Sequence, residues 1–382
     1  MEAARLPATS PISLKKIEAM VFRVPIAKPV ITSFGIMHSR PSVIVRVEDD
    51  RGAVGWGEVW CNYPSVGAEH RARVMESVVA PLLIERPWRD PEDAFFELSR
   101  KLHVLGIQCG EEGTIAQVIA GVDVALWDLL ARRLGQPLWR LFGGKPEIAV
   151  YASGLNPVEP EKLAAQKRDE GYRAFKLKVG FGLDRDLANL RALRDLLGTD
   201  APLMVDANQA WDADAAIEAA GKFAAWTLGW LEEPIPADSA PADWQRVAAA
   251  SPIPLAGGEN IRGLAAFDRA ASSGVFKVIQ PDLGKWGGFS GCIAVGRRAR
   301  EAGGQFCPHW LGGGIGLVAS FHLKAAIGGA GYVEVDANDN PLREALGRPF
   351  PAVQNGGIVL SERPGLGIEP DIAGLREFRV AT

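Results

Sequence analysis

The chain is 382 residues long, enough for one large domain or two ordinary ones with a substantial core. Its 47% hydrophobic and 23% charged content is ordinary for a globular enzyme, and a formal net charge of -4 with dispersed Lys and Arg gives no surface for nucleic acid. Four scattered cysteines (Cys61, Cys109, Cys292, Cys307) without CxxC spacing argue against a disulfide framework or a zinc site. No apolar run approaches a membrane span, Met1–Lys16 lacks a signal-peptide core, and a cytoplasmic protein is expected.

Residues 1–12 read as a frayed tail. From Ile17 to about Glu58 the text is strand-like, with a turn at Asp49–Gly52 before Val54-Gly-Trp-Gly-Glu58, so a small antiparallel sheet is expected. Pro29–Gly35 reads as a loop with polar and aromatic tips between its strands. From Glu69 to Leu141 the period turns helical, most clearly over Thr114–Gly135, where Gly135 and Pro137 mark the stop. Asp123 and Asp128, in mid-helix, read as partners for neighbouring backbone or Arg groups.

From about Ile148 to Asp336 short apolar strands alternate with helices at 159–170, 184–197, 212–226, 240–250, 263–273, 288–302 and 316–327. Alternation at this spacing means parallel strands with helical crossovers, and eight strands with seven helices fit a closed barrel better than an open sheet. The expected fold is α/β. A modified TIM barrel, (β/α)7β, spans 146–345, after an α+β domain over 13–145. Segment 346–382, Gly- and Pro-rich with a hairpin at Asn355–Leu360, is expected to return to the N-terminal sheet.

Seven apolar runs in a row, after the first at Ala149–Ser153, end in a charged or titratable residue: Lys176 and Lys178, Asp206, Glu232, Glu259, Asp282, His309, Glu334. Barrel enzymes work from the C-terminal ends of their strands, so these side chains converge on one mouth. Asp206, Glu232 and Glu259 repel one another unless a cation joins them, and an all-oxygen set suits Mg²⁺ or Mn²⁺. Glu233 falls on the opposite face and reads as a structural ion-pair partner. Lys176 and Lys178 share a strand face and lower each other's proton affinity, making one of them a usable base. Asn208, by strand alternation, points the same way as Asp206. On the other flank, Asp282 accepting one N–H of His309 would orient the ring and raise its basicity. Glu334 is placed to hydrogen-bond a substrate carboxylate. Bases on both sides of a metal-bound carboxylate make a site for removing the adjacent proton through an enediolate.

These residues resemble the enolase superfamily, specifically its mandelate racemase subgroup, over roughly residues 14–382. Lys176-Leu-Lys178 is similar to the family's KxK motif, whose second Lys is an acid/base. Val205-Asp-Ala-Asn-Gln209, Glu232-Glu-Pro234 and Gly258-Glu-Asn260 are similar to its metal-ligand motifs, which implies Asp206, Glu232 and Glu259 as ligands. In muconate-cycloisomerase-type enzymes a base Lys lies five residues before a Gly-Gly pair. Here Asp282 holds that place before Gly287-Gly288, with His309 on the next strand, as in the racemase-like subgroup. A Gly-rich turn, Trp310–Gly316, lengthens the gap to Glu334 and suggests an anion cradle or else a flexible connection. The resemblance implies that loops of the capping domain set specificity. The candidates there are Thr32, Ser33, Phe34, His38, Arg40, Trp60, Asn62 and Tyr63, with Arg40 and Lys28 as partners for a distal anion.

Three functions are compatible with this set. One is dehydration of a sugar acid, with Lys178 or His309 removing the proton and protonated His309 assisting departure of the β-hydroxyl; the resemblance favours it. A racemase or epimerase of a 2-hydroxy acid would use the same two residues as opposed bases. A non-catalytic metal- or sugar-binding protein would leave the acid and base residues without a purpose. The expected partners are a small carboxylate substrate and further copies of the chain, with neither nucleic acid nor membrane.

Overall fold

The computed structural model describes residues 10–64 and 66–381. The alternating text of the N-terminal region becomes two long strands, β1 (Leu14–Thr32) and β2 (Gly35–Asp49), paired antiparallel from Leu14↔Asp49 to Thr32↔Gly35. The loop expected at Pro29–Gly35 is therefore only the two-residue tip Ser33-Phe34 of a long hairpin. β3 (Val54–Val59) pairs with β2, the helix Glu112–Arg133 packs against this sheet, and the helix Pro91–Cys109 packs on that helix. Of the expected tail, residues 1–9 lie outside the described residues, but Ile12 is fully buried and exchanges backbone bonds of 2.7 and 2.9 Å with Trp88. The helix Glu112–Arg133 also corrects the expectation about membrane spans. It is long and apolar enough to cross one, yet 89% of its most apolar window is buried inside the protein. Asp128 pairs with the neighbouring Arg132 at 2.9 Å, as expected, and both acids also serve the backbone across the fold: Asp123 accepts from Phe289 and Ser290, Asp128 from Trp56 and Leu366.

The second half alternates as its text does. The strands β4 (Glu147–Leu155), β5 (Phe175–Lys178), β6 (Leu203–Asp206), β7 (Leu231–Glu232), β8 (Leu255–Gly257), β9 (Phe276–Ile279), β10 (Gln305–Phe306) and β11 (Val333–Asp336) are parallel, and a helix separates each from the next. The sheet runs β10-β9-β8-β7-β6-β5-β4-β11, so the last strand lies beside the first. The curl meets itself between β10 and β11, where Glu334 N donates to Pro308 O at 3.3 Å. After the barrel, β12 (Gly357–Val359) pairs antiparallel with β4, and β13 (Arg379–Val380) with β1. The C-terminal segment thus ties both halves together.

What positions the site is a two-residue rhythm on the inner face of the barrel. Tyr151, Ala174, Met204, Trp230, Ala256, Val278, Cys307 and Tyr332 form a separate apolar layer, with all but the partly buried Tyr332 fully enclosed. Side chains on one face of a strand recur every second residue. Two positions further along stand Ser153, Lys176, Asp206, Glu232, Gln280, His309 and Glu334, a polar layer laid on the apolar one. The carboxylate of β8 breaks the rhythm. Position 258 is a glycine with φ +140°, and the acid is the next residue, Glu259. A Cβ at 258 would lie 2.9 Å from the Gln280 backbone nitrogen, so only glycine carries the chain through this turn.

Candidate active site

The polar layer is one connected set of charges. Lys176, fully buried, lies 2.5 Å from Glu232, 3.0 Å from Glu334 and 3.5 Å from Asp206. Lys178 donates to Asp206 at 2.5 Å and to the side-chain Oδ1 of Asn208 at 2.7 Å. Asn208 reaches this position through a left-handed turn (φ 44°) just past the end of β6, not through strand alternation. Glu232 also accepts from Trp230 Nε1 at 3.0 Å and from Gln280 Nε2 at 2.7 Å. On the opposite flank Asp282 sits 2.7 Å from His309 Nδ1, and Glu259 sits 2.6 Å from Nε2, with Glu334 at 3.3 Å. The backbone N–H groups of Gly284 and Lys285 fix the other Asp282 oxygen at 2.8 and 3.0 Å.

The electrostatics follow from burial and these pairings. Burial lowers the proton affinity of Lys178 and Lys176 lowers it further, as expected from the sequence, but Asp206, Glu334 and Glu232 outweigh both and raise its pKa. Lys176 is raised for the same reason, by Glu232 and Glu334 against burial. The expectation of a lysine depressed toward neutrality by its neighbour is therefore corrected while the carboxylates face the ammoniums alone. Burial disfavours the His309 cation, yet Glu259, Glu334 and Asp282 raise its pKa well above the ordinary value. Glu232 is pushed up to about 7 by burial and by Asp206. Glu233 is pushed up to about 8 by burial and by Glu259, and its partner is the Asn260 amide at 3.0 Å, not the cation expected of an ion pair.

Other candidates are placed as follows. Ser33, at the hairpin tip, donates to Asn208 O at 2.8 Å and so brings the capping sheet onto the mouth of the barrel. Thr32 donates to Gly35 O at 2.9 Å within the same tip. Asn62 is bonded to Leu311 O at 2.5 Å, and Phe34 packs edge-on against Tyr63 at 5.1 Å. His38 and Lys28 are exposed. Arg40, expected to meet a distal substrate anion, is buried and committed to Asp336 and to Asp339 O, where it clamps the cap to the barrel. Glu334 is likewise occupied as an acceptor from Ser153, Lys176, Trp310 N and His309, so it braces the two flanks where a substrate contact was expected.

Sequence reasoning missed Lys285. Its ammonium donates to Glu259 at 2.8 Å and to Asn260 at 3.1 Å and stacks on the Trp60 ring at 4.8 Å. The signal was available in the text, since Asp282-Leu-Gly-Lys285 is a turn sequence in which the Asp side chain binds the backbone two and three residues on and folds Lys285 back.

Among the described residues no three carboxylate, His or Cys side chains are gathered to hold a metal ion as they stand. The donor chemistry nevertheless suits one. Asp206 and Glu232 are directly paired in register, Glu259 lies two residues past the end of β8, and each of the three is compensated by Lys or His cations. Buried carboxylates that need compensating cations are the oxygen set Mg²⁺ takes.

A capped (β/α) barrel with buried carboxylates between a lysine pair and an Asp–His pair is the framework of a metal-assisted carbon-acid enzyme. Residues 16–143 match the N-terminal domain of the mandelate racemase/muconate lactonizing enzyme family, and residues 160–374 match its enolase C-terminal domain-like partner. The chain belongs to that family, within the enolase superfamily, whose members bind Mg²⁺. It is 33% identical to the D-galactarolactone cycloisomerase of Agrobacterium fabrum over 89% of this chain and 92% of that protein. It is 28% identical to the arabinonate dehydratase of Saccharolobus solfataricus over 86% and 88%. A crystal structure of a mandelate racemase/muconate lactonizing enzyme from Bordetella bronchiseptica RB50 superposes with a TM-score of 0.92 at 53% identity, covering 96% of this chain and 99% of that one.

Proposed function

We propose that this enzyme removes the proton alpha to the carboxylate of a polyhydroxylated acid and dehydrates it to a 2-keto-3-deoxy acid. The observation that carries the reading is the setting of His309. Asp282, which is not one of the metal ligands, holds Nδ1 at 2.7 Å, and Glu334 faces Nε2 at 3.3 Å beside Glu259, so when a cation takes up Glu259 two carboxylates still favour the protonated ring and leave it poised as an acid. A leaving hydroxyl needs such a donor, whereas a two-base racemase needs a ring free to accept.

Asp206, Glu232 and Glu259 would hold Mg²⁺, with Mn²⁺ as a substitute, and the bound ion would supply positive charge against the negative charge developing on the substrate carboxylate. Lys178 becomes a base only when another cation neutralises Asp206, because that carboxylate is what raises its proton affinity most. The neutral amine takes the alpha proton, and the bond from the beta carbon to its hydroxyl breaks as Nε2–H of His309 protonates the leaving oxygen. Water and an enol result, and the enol ketonises. Lys176, Asp282 and Glu334 hold these groups in place, and Asn208 orients Lys178. Ser33 and Thr32 at the hairpin tip, with Trp60 beside Lys285, would line the far end of the substrate.

The relative named as an arabinonate dehydratase supports this reading, and the one named as a cycloisomerase favours an isomerisation that begins with the same proton transfer. A panel of mono- and diacid sugars, incubated with Mg²⁺ in D₂O, separates them. Formation of a 2-keto-3-deoxy acid is expected. An alpha-deuterated product that keeps every hydroxyl would show isomerisation instead.

A further inference from the structure

The Gly-rich turn after His309 presents backbone N–H groups at the start of the helix Gly314–Ile327, as an anion cradle does. Its anion belongs to the chain. Glu58, at the end of β3, accepts from Gly313 N at 2.6 Å, Gly316 N at 3.0 Å and Ser42 Oγ at 2.7 Å. The group is 2% exposed, and burial pushes its carboxyl above the ordinary range, but the two amides can only donate, and they and Ser42 pull it back toward the carboxylate. The glycines are required by the same packing. A Cβ on Gly313 would lie 2.4 Å from Glu58 Oε1, and one on Gly316 2.0 Å from the Trp310 ring.

From this cradle the contacts lead directly to the site. Trp310 donates its indole N–H to Gly313 O at 2.9 Å and its backbone N–H to Glu334 at 3.3 Å, and it directly follows His309. We propose that Glu58 is a positioning residue of the reaction: its carboxylate is the fixed anion that orders the turn 311–316 and, through Trp310, seats His309 and Glu334. The cap would then complete the catalytic mouth by its charge as well as by its walls. This step rests on His309 acting as the acid in the reaction above.

Removal and replacement of the anion tests it. Glu58→Ala leaves the donors of Ser42, Gly313 and Gly316 around a space that fits formate. The variant should lose about 10²-fold in kcat, the scale of a small misplacement of a catalytic group, with little change in KM. Amides of 311–316 should exchange faster with D₂O in the absence of substrate. Formate should restore both amide protection and turnover, and neutral formamide neither. Glu58→Gln keeps the shape without the charge and should lose turnover similarly, which covers the case in which the alanine variant folds poorly. A Glu58→Gln enzyme with the parent kcat would overturn the proposal, as would formate that protects the turn without restoring turnover. A wrong role for His309 shows up elsewhere, as a fully active His309→Asn enzyme.

Discussion

The chemistry of this enzyme depends on which side chain each charge faces. Asp282 and Glu259 hold the two nitrogens of His309, and Asp206 holds Lys178. His309→Asn should lower turnover by roughly 10²–10⁴-fold, the range for loss of a general acid or base, with an unchanged circular dichroism spectrum. Asp282→Asn should act in the same direction, because an amide in place of the carboxylate can turn its NH₂ toward Nδ1 and misorient the ring. Parent-level kcat in Asp282→Asn would show that the pair is not coupled. For the metal, Glu232→Gln removes one of three converging charges and should weaken Mn²⁺ binding, read by titration calorimetry on the unreacted protein. Chelator should abolish activity and Mg²⁺ restore it; full turnover in excess chelator would refute the metal assignment.

At the scale of elements, the helix Gly288–Glu301 shows how one segment completes another. Its N-cap, Gly287, has no side chain to offer, and the cap comes from the middle of the long helix of the other domain. Asp123 accepts from Phe289 N at 2.7 Å and Ser290 N at 3.1 Å. Burial pushes its carboxyl up to about 7 against those donors. Asp123→Ala leaves two buried amides without an acceptor, at about 1–3 kcal/mol each. A lower urea midpoint is expected, and an unchanged midpoint would mean that the amides find other partners. The same helix begins just after the turn that carries Asp282 and Lys285, so the cap also steadies the site.

For the whole molecule, the joints between cap, barrel and C-terminal return are buried polar contacts. His322, in a barrel helix, accepts from Trp139 N at 2.9 Å and faces Leu366 O at 3.2 Å, so one residue touches all three parts. Burial pushes its pKa down from 6.5 to about 4. The folded state therefore favours the neutral ring. Its stabilising contribution is complete above pH 6.5 and is lost as pH falls through that value toward 4, by about 3 kcal/mol at the lower limit. Melting temperature should fall more steeply between pH 7 and 4 in the parent than in His322→Gln, which cannot take up that proton. Parallel curves would show that other groups dominate acid unfolding.

The amino-acid sequence alone determined the rhythm: strands that alternate with helices, and a titratable residue at the end of every barrel strand after the first. Alternation along a strand and periodicity along a helix are local properties, acting over a few residues, so they can be read from the text. That is why Lys176, Asp206, Glu232, His309 and Glu334 were legible as one inward-facing layer. Tertiary structure decided the partners. Arg40 looked available for a substrate and is spent on Asp336, 296 residues away, and the glycine cradle is filled by Glu58 from 255 residues upstream. Glu233 met an amide in place of a cation, and Lys285 turned into the site. Burial makes each charge take the nearest compensating group, and which group is nearest is settled only when distant segments pack.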